Sequence, residues 1–101
     1  MLHVNVISRR GLTKLLKGKS KDVSEDAVRW YKVARASEWK SLDDVRERYP
    51  DSDQVGHVLV FNIRHNRYRL IVTEAFEAQR LYVKALLRHK EYDREEWNKW
   101  A

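Results

Sequence analysis

The chain has 101 residues, 43% of them hydrophobic and 36% charged, with a net charge of +6 and a pI near 9.7. That length suffices for one modest core, and the four tryptophans argue against disorder; the absence of cysteine excludes disulfides, thiolate catalysis and Cys-based zinc sites. Arg9 and Arg10 break any leader-like run, and no apolar stretch approaches the roughly 18 residues of a membrane span, so one soluble cytoplasmic domain over residues 1–101 is expected, with no membrane partner.

His3-Val4-Asn5-Val6-Ile7 alternates loosely and predicts a short first strand. Ser8 is placed to cap a helix from Arg9, with Leu12, Leu15 and Leu16 at helical spacing and Gly18 as its stop. After the basic loop Lys17-Gly18-Lys19-Ser20-Lys21, Asp22 and Glu25 read as an acidic capping box. The helix they open should run to about residue 38, since Val23, Ala27, Trp30, Tyr31 and Ala34 form an apolar stripe. Ser41 with Asp44 starts a further short helix, which Pro50 ends.

The period then changes. Residues 55–63 read as one nearly continuous apolar strand, followed by a tight turn at His65-Asn66, where Asn66 accepts positive φ. A second strand spans 68–73 and a turn spans 75–79. In a third strand, Leu81, Val83, Ala85 and Leu87 mark one face, and Tyr82, Lys84, Leu86 and Arg88 the other. Asp93 with Glu96 predicts the cap of a last short helix bearing Trp97 and Trp100, which read as core and partner-contact residues. The fold class is α+β, a small antiparallel sheet with N-terminal helices packed on one face.

Charge is unevenly spread: residues 1–21 carry +6, residues 22–56 carry −3 and residues 57–92 carry +4. If the two basic stretches meet in space they form one cationic face suited to a polyanion; otherwise each is a solvated surface. Arg64, Arg67 and Arg69 straddle the first hairpin turn, and equal parity points Arg67 and Arg69 to one face. A guanidinium fork suits a phosphate, although cations also protect an exposed strand. His89 extends the row of Val83, Ala85 and Leu87, where a histidine is more often structural than catalytic. With Arg88, Lys90 and Tyr92 it crowds one strand end, and beside Arg69 this would be a parts list for metal-free RNA cleavage. Asp43-Asp44 and Glu95-Glu96 are accounted for by helix starts, and scattered histidines predict no metal site.

Val58-Leu59-Val60-Phe61-Asn62-Ile63, Asn66-Arg67-Tyr68-Arg69-Leu70-Ile71 and His89-Lys90-Glu91-Tyr92-Asp93 together resemble toxins of the HigB family, within the RelE-like group of type II toxin–antitoxin modules. The resemblance covers residues 55–93 best, with His65 where similar sequences usually have Gly. It implies a single RelE-like toxin domain acting as a ribosome-dependent mRNA endonuclease that works without metal or cofactor. Its implied partners are mRNA, the ribosome and a cognate HigA-like antitoxin. Carried over by position, it implies that Arg69 stabilises phosphate charge, His89 transfers a proton, and Tyr92 positions or stacks on a nucleotide. Arg64, Arg67, Lys84, Arg88 and Lys90 become candidate RNA contacts, and Glu91 a substitute base should His89 be buried. Two other readings stand beside this one: a non-catalytic module that blocks translation by occupancy, and a basic surface made for an acidic partner.

Overall fold

Apolar residues on both sides of the central strands decide the architecture, because each face of such a sheet must be covered. The computed structural model describes residues 5–7, 9–64 and 67–101. In chain order these form β1 (Asn5–Ile7), α1 (Arg9–Leu16), α2 (Lys21–Ala36), α3 (Leu42–Arg48), β2 (Asp53–Val55), β3 (Val58–Ile63), β4 (Tyr68–Ala75), β5 (Arg80–Arg88) and α4 (His89–Asp93), with 3-10 turns at Phe76–Ala78 and Glu96–Trp100. The sheet order is β1-β5-β4-β3-β2, antiparallel from β5 through β2, with β1 added parallel to β5 at the edge. The fold is α+β, as the sequence predicts.

Helices α1 to α3 cover one face. Leu12, Val23, Ala27, Trp30, Ala34 and Val45 pack there against Leu59, Phe61, Leu70, Val72, Leu81 and Leu86. The large rings interlock: Trp30 meets Phe61 edge-on at 5.2 Å, and Trp39 stacks on Phe61 at 6.0 Å. The opposite face carries a smaller cluster of Val58, Val60, Ile71 and Trp97, with Ala85, Leu87, Tyr92 and Trp100 packed around it. The N-terminal helices thus lie on one face as expected, and α4 with the following turn covers the other.

Several local expectations are corrected. The apolar run 55–63 is two strands, because Gly56 takes φ +56 and turns the chain so that Val55 pairs with Val58. His57 in that turn donates to the almost buried Glu74 carboxylate (Nδ1–Oε1 2.7 Å), clipping the hairpin to the end of β4. The cap of α2 is Ser20 rather than Asp22, whose carboxylate receives the Ser20 hydroxyl and the Val23 N–H. Asp93 ends α4 instead of opening the last turn, which starts after Glu95 in a left-handed conformation. The expected strand residues His3 and Val4, the Ser8 cap and the His65-Asn66 turn lie outside the described residues.

The most consequential correction concerns β5. Val72 pairs with Val83 and Ile71 with Ala85, so Lys84 is an extra residue, a β-bulge. From there the alternation shifts by one: Leu81, Val83 and Leu86 face the helices, while Ala85 and Leu87 join the second cluster. The uninterrupted parity of Leu81, Val83, Ala85 and Leu87 therefore fails halfway along the strand.

Candidate active site

Arg69 sits between Leu70 and Tyr68, both packed toward the helices, so strand alternation sends it to the second face. Its strand partners are Asn62 and Leu87. Its guanidinium carbon lies 5.5 Å from the Tyr92 ring centroid, a cation–π arrangement. Tyr92 in turn stacks on Trp97, with centroids 5.1 Å apart and planes inclined by 8°. The Trp97 indole N–H donates to the Tyr92 carbonyl at 2.9 Å, fixing the end of α4 against the sheet. Burial of the ring raises the Tyr92 phenol above its ordinary pKa, with the Arg69 charge pulling the other way. At neutral pH this hydroxyl is therefore protonated and available as a donor.

His89 is the first residue of α4 and is exposed, so Glu91 is not needed as its substitute. The Glu91 carboxylate instead accepts the Arg88 N–H at 3.0 Å and caps the helix. His89, Arg67, Tyr68, Arg88 and Lys90 line a shallow surface depression. Tyr68 pairs with Arg88 and Arg69 with Leu87, so this depression and the Arg69–Tyr92 pair neighbour each other along the strands but lie on opposite faces of the sheet. They are joined by α4, in which His89 and Tyr92 stand three residues apart and so share a side of the helix. The structure thus groups Arg67, Arg69, Arg88, His89, Lys90 and Tyr92 at one end of β4 and β5.

The other candidates are placed differently. Arg67 belongs to the turn, not to β4, and its guanidinium approaches Asp22 of α2 at 4.0 Å; strand parity with Arg69 does not survive the turn. Arg64 is held twice, by Asp22 on its side chain (Nε–Oδ2 3.0 Å) and by Asp26 on its backbone N–H (2.6 Å). With φ at +54, Arg64 is in the left-handed region that non-glycine residues rarely adopt, and the two carboxylates hold it there. Its charge is largely answered within the protein. Lys84 is the bulge residue, near the Tyr82 ring and four residues from Arg88, about 13 Å along the strand. It stands apart from the cluster.

Three contributors had no readable signal in the sequence. Asp22 and Asp26 act on Arg64 across separations of 42 and 38 residues. Trp97 reads as an ordinary apolar anchor until its stacking on Tyr92 is seen.

No curated protein matches the chain. A family model described as HigB_toxin, RelE-like toxic component of a toxin–antitoxin system, matches residues 24–95, from the first turn of α2 to just past α4. The match spans every element that builds the cluster except the Trp97 turn, and on that extent the chain belongs to the HigB toxin family, whose members are the toxic halves of toxin–antitoxin pairs and so have an antitoxin as partner.

Proposed function

We propose that this toxin is a ribosome-dependent mRNA endonuclease that arrests translation in the cytoplasm, its residues 1–101 forming a single catalytic domain. The observation that supports it best is the α4 arrangement, which sets His89 beside a rim of cations and Tyr92 under the Arg69 guanidinium. In this reading the 2′-hydroxyl attacks the adjacent phosphorus in line and the bond to the 5′-oxygen breaks. One proton leaves the attacking hydroxyl and one reaches the departing oxygen. His89, exposed and unencumbered by the core, transfers a proton. Arg69 faces the charge that builds on the non-bridging oxygens. Tyr92, with Trp97 stacked on it and Arg69 above its ring, orients that guanidinium and offers its hydroxyl as a donor. Arg67, Arg88 and Lys90 hold flanking phosphates; Lys84 and Arg64 contribute less, one by distance and the other by its carboxylates.

The test is His89→Gln and Arg69→Ala, each assayed for growth arrest, mRNA cleavage and ribosome binding. Cleavage should fall by roughly 10²–10⁴-fold while much of the ribosome binding persists. Undiminished toxicity in both variants would refute the assignment. One observation favours the occupancy reading: the depression at His89 is lined without Arg69. Under that reading both variants would still arrest growth, with mRNA left intact.

A further inference from the structure

The two basic stretches of the chain meet. Lys19, in the loop between α1 and α2, places its ammonium 5.9 Å from the centroid of the Tyr68 ring. Tyr68 is also a wall of the depression shared by Arg67, Arg88, His89 and Lys90. The loop is not a loose tail laid over that ring. Lys17 N–H bonds to the Lys14 carbonyl at 3.2 Å, and Lys19 N–H to the Leu16 carbonyl at 3.0 Å. Gly18 makes the reversal at φ +79, and a Cβ built on it would meet no described atom within 4 Å, so the loop tip stands open.

The acids nearby are already committed. Asp22 serves Arg64 and Arg67, and Glu91 caps α4. Among the described residues, Lys17, Lys19, Arg88 and Lys90 enter no ion pair. Lys19 of the loop, Arg88 at the end of β5 and Lys90 of α4 meet around Tyr68 without internal counter-charges, with Lys17 two residues back along the same loop. This arrangement suits a polyanion that follows the surface. A lone phosphate needs fewer cations.

We infer that Lys17 and Lys19 form a second phosphate grip, through which the RNA backbone leaving the depression continues over the α1–α2 loop. This rests on the RNA reading of the depression and extends it to residues ahead of the stretch matched by the family model. The grip is a binding device without a role in the chemistry. It lengthens the footprint by two backbone charges and so raises the salt dependence of binding.

The experiment uses the full chain and an unstructured RNA oligonucleotide, with affinity followed by fluorescence anisotropy across a salt series. The double variant Lys17→Ala with Lys19→Ala is compared with a charge-matched control, Lys32→Ala with Lys40→Ala. Each lost contact to single-stranded RNA should lower the slope of log affinity against log salt by about 0.7, so the loop variant should lose about 1.4. The control should keep the parental slope. If the loop variant matches the control while the parent still binds and cuts RNA, the grip is refuted and the nuclease reading stands. A parent that neither binds the oligonucleotide nor cuts mRNA on ribosomes overturns both. A polyglutamate of equal charge that binds more tightly than RNA, through the same lysines, would assign the surface to an acidic protein partner and overturn the RNA assignment.

Discussion

Trp97 is the residue whose removal most directly tests how the site is held. It is 5% exposed, packs on Val58, Val60 and Ile71, stacks on Tyr92 at 5.1 Å and donates to the Tyr92 carbonyl at 2.9 Å. Truncating a buried tryptophan to alanine costs about 3–5 kcal/mol. The value here should lie near the lower end, about 3 kcal/mol, because half-buried Leu87, Tyr92 and Trp100 can close over the gap. A domain with about 5–15 kcal/mol of stability still folds after such a loss, so function remains measurable. Trp97→Phe keeps a ring stacked on Tyr92 but loses the indole bond, which costs about 1 kcal/mol, together with part of the buried ring volume. Urea unfolding of the parent and both variants, followed by circular dichroism, reads these differences. RNA cleavage should fall more in Trp97→Ala than in Trp97→Phe, since the first releases Tyr92 and with it the support under Arg69. A cost under about 1 kcal/mol for the alanine variant would show that the second face contributes little packing. Equal costs for the two variants would show that the hydrogen bond carries the effect and that stacking carries none.

Gly56→Ala should destabilise by about 1–2 kcal/mol from its left-handed conformation alone, with more from the new Cβ, which would lie 2.7 Å from the Ala101 carbonyl carbon. Removing Ala101 in the same chain should restore only the steric part, as read by thermal unfolding; no restoration would refute that contact. Asp22 is held below its ordinary pKa, first by the Ser20 hydroxyl and then by the Val23 N–H and Arg64. A depressed carboxylate contributes stability that is present above its unfolded value, about 3.9, and lost as pH falls through the folded one. Asp22→Asn should therefore flatten the urea midpoint against pH below about 4 relative to the parent; parallel curves would refute the role assigned to this carboxylate.

What could be read from the sequence was whatever repeats with a fixed period or sits at a local boundary. The stripe of Val23, Ala27, Trp30 and Ala34 gave α2 and its buried face, and Ser41 gave the start of α3. Gly18 gave the end of α1, and the charge runs left open whether the two basic stretches meet, which the Lys19 contact with Tyr68 shows they do at one point. Failures came where a single residue changes the period. Gly56 hid a hairpin inside a run that is apolar because both its faces are buried, and Lys84 displaced the alternation of β5. The Asp26 bond to the Arg64 backbone and the Trp97 stack were unreadable for another reason. They join residues by tertiary approach, for which local pattern carries no information.

The Lys84 bulge shows how the local irregularity and the site depend on one another. Without it, β5 would present Ala85 and Leu87 to the helices and leave Leu86 and Arg88 on the second face. Arg69 would then have Arg88 as a same-face neighbour, two guanidinium groups in competition, where it now has Leu87 across the strand pair. With the bulge, Leu87 joins the apolar floor beneath Tyr92 and Trp97, and Arg88 points to the side where Tyr68 and the depression lie. The strand ends one residue later at Arg88, and α4 begins with His89 exposed and Tyr92 packed on the second face. One inserted residue thus puts a supported guanidinium and a cationic rim on opposite faces of the same strand end. An exposed lysine at the insertion point is then explained by the backbone it permits; its own charge is not required.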